Sequence, residues 1–207
     1  MHVHLVIYLI RHGETEWNRQ RRHQGHADSP LTPGGLAQAH AVGLYLRSIL
    51  GPHPDVDVLS SPLGRTLHTA SILCQELDLA QDGIVATNLL TEHDMGQWQA
   101  LTPDEIDRLY PGQRQAREAD KWDFVIPGGE SYALLYKRSC LWLDQVPRGR
   151  VVIAVTHEMI SRTIRGAYAG LPPGVTLAAS HPQDCVYRLA GGRVEELHVA
   201  GGKGGTN

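Results

Sequence analysis

Cysteine is scarce in this chain, and the little there is does not pair by spacing. Cys74, Cys140 and Cys185 are the only three in 207 residues. An odd number at long spacings argues against a disulfide framework and a sequence-encoded zinc site, and a reduced, cytoplasmic setting is expected. Charge of one sign is also lacking. A formal net charge of −3 leaves no general footprint for nucleic acid or anionic membrane, so an anion site has to be a local cluster of cations. No apolar run is long enough to span a bilayer. The first ten residues, MHVHLVIYLI, lack a basic start and a small-residue cleavage site and run straight into Arg11-His12-Gly13. They read as a buried strand rather than a signal peptide. Internal repeats and a Walker A loop are absent as well.

What is present alternates. Val3 to Ile10 reads as a buried strand, and Thr32-Pro33-Gly34-Gly35 opens a helix that runs to about Leu50, with apolar residues at helical spacing. Asp55 to Ser60 is a second strand. Ser61 and Pro62 are expected as N-cap and first residue of the next helix. Ile84 to Leu90 reads as a third strand, Thr102 to Lys121 as a helical region broken near Pro111-Gly112, and Gly129 to Gln145 as a helix. Val151 to Thr156 is a strong buried strand followed by a helix from Met159 to Tyr168, and the segments flanking Gly191-Gly192 read as a terminal hairpin. This order predicts an α/β fold, a three-layer sandwich whose mostly parallel central sheet carries helices on both faces. Residues 1–200 are expected to form a single domain with a helical subregion at about 100–145 over the site, and residues 201–207 a loose tail.

Ligands of such sheets sit beyond the carboxyl ends of the strands. The residues found there are Arg11-His12-Gly13, Ser61 leading to Arg65, Glu92-His93, and His157. A neutral imidazole is a competent nucleophile near neutral pH, and guanidinium forks suit phosphate oxygens. His12 as nucleophile, Arg11 and Arg65 as phosphate clamps, His157 and Asn18 as further donors and Glu92 as proton donor would together serve phosphoryl transfer without Mg²⁺. Glu14, Glu16 and Asp94 compete with Glu92 for the acid role. Gly13 is expected to allow close approach of the backbone to the site.

The stretch LIRHGETEWN (Leu9 to Asn18) resembles the signature of the histidine phosphatase superfamily, the phosphoglycerate mutase-like proteins. QGHADSPLTPGGLAQA, SSPLGRTLHTA, LTEHDMGQW, PGGES and VTHEMISR follow in the family's order. The resemblance implies a phosphoglycerate mutase-like fold in which His12 is phosphorylated. It implies that Arg11, Arg65 and His157 form the phosphate pocket, that Glu92 is the acid, and that Asn18, Gln24 and Gly25 line the substrate side. It further implies no metal and no cofactor for hydrolysis. The function expected is a phosphomonoester hydrolase acting on a small phosphorylated metabolite. A cofactor-dependent mutase is the alternative, as is a regulatory member that has lost catalysis. No nucleic-acid or membrane partner is expected, and the chain is taken as a monomer or homodimer.

Two positions depart from the family pattern. Glu158 stands where glycine is usual, and its carboxylate is expected to point away from the phosphate. Trp98-Gln99-Ala100 replaces Trp-Glu-Gly near the acid. Cysteine- and aspartate-based phosphatase patterns are missing: Ala80, Val146 and Gly191 stand where a Cys-x5-Arg motif needs arginine. The pairs His2/His4 and His23/His26 lack partners at metal-binding spacing. Specificity is sought in Thr102 to Tyr132, where Arg108, Tyr110, Arg114, Arg117, Lys121 and Trp122 lie, although these side chains read best as a solvated helical face.

Overall fold

In β1 (Val6–Arg11) successive side chains go to opposite faces of the sheet and both faces are apolar. Ile7 and Leu9 join one core cluster, Tyr8 and Ile10 the other. The same alternation runs through β4 (Val151–Thr156), with Val152 and Ala154 on one side and Ile153 and Val155 on the other. The computed structural model describes residues 5–199. The start of the first expected strand, the His2/His4 pair and the 201–207 tail lie outside the described residues.

Six strands form one sheet in the order β3-β2-β4-β1-β5-β6, where β2 is Val56–Ser60, β3 Val85–Ala86, β5 Cys185–Ala190 and β6 Arg193–His198. The first four are mutually parallel, and β5 and β6 are antiparallel additions at one edge. Helices α2 (Pro33–Leu50) and α3 (Gly64–Glu76) cover one face, and α6 (Tyr132–Gln145) and α7 (Glu158–Ala169) cover the other. The expected α/β sandwich is the fold observed. The remaining helices are short: α1 (Glu16–Arg19), α4 (Pro103–Leu109), α5 (Gln113–Ala119) and α8 (Pro173–Ala178).

Local chemistry explains most boundaries. Thr32 caps α2 by accepting from the Gly35 N–H, and Pro33 occupies its first turn. Thr102 and Glu105 form a capping box on α4. Ser131 caps α6, so that helix starts after the PGGES segment and not at Gly129. Two other expectations shift. The N-cap of α3 is Leu63, without a side-chain hydrogen bond, because Ser61 is drawn into the site. The third strand shrinks to two residues, since Thr87 turns the chain into a 3-10 turn over Asn88–Leu90.

Parallel register is what gathers the site. Arg11 stands beside Thr156, and Ser60 beside Val155. The next residues, His12, Ser61 and His157, therefore emerge together from three neighbouring strands. Backbone bonds from His12 N to Thr156 O and from Ser61 N to Val155 O, each 3.0 Å, extend the ladder into the site.

Candidate active site

A cavity of about 250 Å³ opens at this edge, lined by Arg11, His12, Asn18, Gln24, Gly25, Arg65 and Glu92 among others. His12 is 3% exposed. Its Nδ1 lies 2.7 Å from the Gly13 carbonyl. A carbonyl only accepts, so Nδ1 carries the proton and the Nε2 lone pair is free. Burial first, then Arg65 and Arg11, hold the imidazole well below its ordinary pKa and keep it neutral.

Arg65 is fixed on every side. Its Nε donates to His157 Nδ1 at 3.2 Å, Nη1 donates to Ala27 O and Asp28 Oδ1, and Nη2 donates to Gly25 O at 2.8 Å. Of five N–H groups one is left for a ligand. Arg11 is looser. Nη1 donates to the His181 carbonyl and contacts Glu158 Oε2 at 3.0 Å, while Nε is buried without a partner. Burial lowers the pKa of both arginines, against carboxylates that raise it; both stay charged at neutral pH.

His157 is fully buried and packs edge-on against His12, ring centroids 5.1 Å apart. Its Nδ1 accepts from Arg65, so the neutral ring carries its proton on Nε2, which donates to Ser61 Oγ at 2.9 Å. Burial, then Arg65 and His12, depress its pKa well below the ordinary value. Both ring nitrogens are thus engaged, and the ring lies behind the cavity wall rather than in it.

Glu92 is held by backbone. Oε1 accepts from His93 N and Ile160 N, and Oε2 accepts from Met159 N. The carboxylate thereby caps α7, whose own N-cap residue His157 offers no side-chain bond. The rival acids are elsewhere: Glu14 accepts from Thr32 Oγ1, Glu16 faces Arg19, and Asp94 accepts from Gly96 N. None of the three lines the cavity. Asn18 is both cap and lining residue: its Oδ1 takes the Thr15 N–H and hydroxyl, leaving its amide N–H groups for the cavity. Gln24 donates to Thr15 Oγ1 at 2.8 Å, while its Oε1 is buried without a partner. At Gly25, with φ of 53°, a Cβ would lie 2.9 Å from Met95 N.

Several expectations change on contact with the structure. Glu158 does not point away: it lines the cavity and links Arg11 to Arg162. The close approach at Gly13 is to helix α2, where a Cβ would meet Gly35 O at 2.2 Å. Gln99 Oε1 accepts from His26 N and Ala27 N, fastening the loop that embraces Arg65. No residue of 100–145 lines the cavity. Arg117 is instead buried between the Trp98 and Tyr132 rings, and Arg114 and Lys121 pair with Asp107 and Glu118.

Sequence reasoning missed the side chains that support the site. Asp28 and His181 hold Arg65 and Arg11. Arg138 donates to Thr91 O, Glu92 O and Glu130 Oε1, tying the Glu92 loop to the PGGES segment. Arg21, Arg22, His23, Met95 and Met159 complete the cavity wall. Burial, then Arg117 and Arg114, pull His23 down to about 4. The local sequence carries no hint of the Asp28, His181 and Arg138 contacts, because they join chain segments far apart in sequence.

Residues 7–196 match the Histidine phosphatase superfamily (branch 1). A Salmonella paratyphi C (strain RKS4594) protein named "Probable phosphoglycerate mutase GpmB" is 37% identical over 174 residues, spanning 81% of this chain and 76% of that one. Among solved structures, Bacillus stearothermophilus YhfR aligns with a TM-score of 0.76 at 27% identity, covering 95% of each chain. The mycobacterial glucosyl-3-phosphoglycerate phosphatase complexed with VO3 aligns with a TM-score of 0.74 at 26% identity, covering 93% of this chain and 96% of that one. An α-ribazole phosphatase from Shigella flexneri, 21% identical with a TM-score of 0.78 over 98% of this chain and 99% of that one, shares the fold. The matched span takes in β2 to β5, all but the first residue of β1, and both His12 and His157, and the chain belongs to the histidine phosphatase superfamily.

Proposed function

We propose that this chain is a phosphomonoesterase that hydrolyses a small phosphorylated metabolite through a phosphohistidine at His12, without a metal ion. One observation carries the reading: a buried, neutral His12 presents Nε2 to a cavity that also holds Arg11, Arg65 and Glu92. In the first step the Nε2 lone pair attacks phosphorus and the ester P–O bond breaks. The departing alkoxide takes a proton from the Glu92 carboxyl. In the second step Glu92 removes a proton from water, the water oxygen attacks phosphorus, the P–N bond breaks, and orthophosphate leaves. Arg11, with three N–H groups uncommitted, and Arg65, with one, neutralise the phosphoryl oxygens. The Gly13 carbonyl fixes the tautomer and stabilises the imidazolium formed on phosphorylation. His157 acts by holding Arg65 and packing on His12. A contact of its own with the phosphoryl group requires it to leave Ser61.

Mutase activity is the second reading, favoured by the name of the Salmonella relative. The resemblance associates mutases with a longer insertion over the site, and here roughly 35 residues separate Glu92 from Pro127. The test uses p-nitrophenyl phosphate in EDTA, a phosphometabolite panel, and 3-phosphoglycerate primed with bisphosphoglycerate. Hydrolysis in EDTA with acid-labile labelling of the protein that His12→Ala abolishes is the expected result. Labelling that survives His12→Ala overturns the nucleophile assignment, and dominant isomerisation overturns the hydrolase.

A further inference from the structure

The β5–β6 hairpin, outside the cavity, carries a second cluster of reactive side chains. Its antiparallel register sets Cys185 opposite His198 and Tyr187 opposite Glu196. Alternate residues share a face, so Cys185, Glu196 and His198 project on the side of the sheet covered by α7. Cys185 and Tyr187 belong to the core cluster there. One donor atom from each of the three residues, Cys185 Sγ, a Glu196 carboxylate oxygen and a His198 ring nitrogen, lies within 4.8 Å of the other two. Glu196 Oε1 and His198 Nε2 are 3.5 Å apart.

We propose that this hairpin binds one zinc ion through Cys185, Glu196 and His198, with water in the fourth position. Sulfur, imidazole and carboxylate are the donors zinc takes, at metal–ligand distances of about 2.0–2.3 Å. Tetrahedral donors then sit roughly 3.3–3.8 Å apart, so the cluster has to close by at most about an ångström. Glu196 and His198 are exposed, while the buried Cys185 supplies a fixed point. Arg165 is stacked on the neighbouring Tyr187 ring at 3.7 Å and donates to Ser161 O and Ser180 O. Thiolate and carboxylate together match the two charges of the ion. On binding, the S–H bond breaks, an S–Zn bond forms and the proton passes to solvent; nothing is oxidised or reduced. Because the thiol gives up its proton to bind the ion, binding is coupled to proton release and tightens as pH rises. The ion would clamp the edge strand β6 to β5. None of its three ligands lines the cavity, so the site is independent of the proposed reaction.

The test is a Co²⁺ titration of the EDTA-treated full chain, with zinc as competitor. Expected are saturation at one equivalent, a thiolate-to-cobalt charge-transfer band that zinc abolishes, and a rise in Tm with zinc. His198→Ala and Glu196→Gln, at exposed positions that leave the fold intact, weaken binding by more than about tenfold and leave p-nitrophenyl phosphate hydrolysis unchanged. Cys185→Ser removes the band and Cys140→Ser keeps it. Absence of a thiolate band in the wild-type chain overturns the site, and so does a band that persists at full affinity in His198→Ala.

Discussion

The Glu158 carboxylate sits 3.0 Å from Arg11 Nη1 and bridges it to Arg162. A negative charge has thus been placed against a guanidinium expected to clamp the phosphoryl group. The arrangement offsets part of the pull on a bound dianion, in substrate and product alike. Glu158→Gln keeps the shape and removes the charge. Inhibition by orthophosphate should tighten on the order of tenfold, the effect of removing one opposing charge at a partly exposed site, and turnover limited by product release should slow. Weaker orthophosphate inhibition would instead make Glu158 a positioning residue for Arg11. A fall in Tm with unchanged inhibition would reduce it to a structural ion pair.

Five histidines, His12, His23, His93, His157 and His181, have pKa values below the ordinary 6.5, each chiefly through burial. For a group whose folded pKa is depressed, the unfolded chain binds the proton first. The stability is therefore fully present above pH 6.5 and is lost as pH falls toward the folded values, about 4 for His23 and about 3 for His93. Tm should decline steadily from pH 6.5 to 4. Burial, then Arg117 and Arg138, disfavour the charged form of His93, so His93→Gln should make that decline shallower. A wild-type Tm that is flat across this range would contradict the assignment of these rings as buried and neutral. The acid limb of kcat/KM attributable to His12 should likewise lie below the ordinary histidine value.

The strands and the polar residues that follow them were legible because a period of two and a strand-end rule are local signals. His12, Arg65, Glu92 and His157 sit at those ends, and parallel register does the rest. The short pieces were not legible. β3 is two exposed residues, and α8 begins Pro173-Gly174 with no apolar stripe to announce it. Ser61 looked like a cap by its sequence neighbours, yet its hydroxyl is claimed by His157, 96 residues away. The same holds for Arg138, Asp28 and His181: each holds a backbone or side chain that sequence proximity does not connect to it. The physical reason for the PGGES segment is three-dimensional: Gly96 and Gly129 pack so closely that a Cβ on either would overlap the other segment.

Arg138 is the tie between that packing and Glu92. It donates 2.6 Å bonds to Thr91 O and Glu130 Oε1 and a 3.1 Å bond to Glu92 O. Arg138→Met keeps the stem and deletes the donors, leaving the loop to its remaining ties, from His26 to Glu92 O, from Thr156 Oγ1 to Leu90 O and from Asp94 N to Glu130 Oε1. With Glu92 misplaced relative to the leaving oxygen, kcat should fall about tenfold to hundredfold with KM little changed. The loss should shrink for substrates with an acidic leaving group such as p-nitrophenol, which needs less protonation. An equal loss for alkyl and nitrophenyl esters would mean that Arg138 merely supports the fold.

Ser61 offers the sharpest test of how the histidines are poised. Its Oγ accepts the Nε2 proton of His157, and that bond leaves Nδ1 to receive the Arg65 Nε–H. Ser61→Ala removes the acceptor, freeing Nε2–H to reach a bound phosphoryl oxygen and loosening the ring. If His157 serves chiefly to hold Arg65, Ser61→Ala should raise KM and weaken vanadate binding roughly tenfold or less, with the nucleophile still labelled. If the Ser61 bond restrains a direct phosphate donor, vanadate should bind more tightly in the variant. Nitrogen NMR of His157 in both proteins reads the tautomer directly, and a proton on Nδ1 in the wild type would invalidate the hydrogen-bond order from Arg65 through His157 to Ser61.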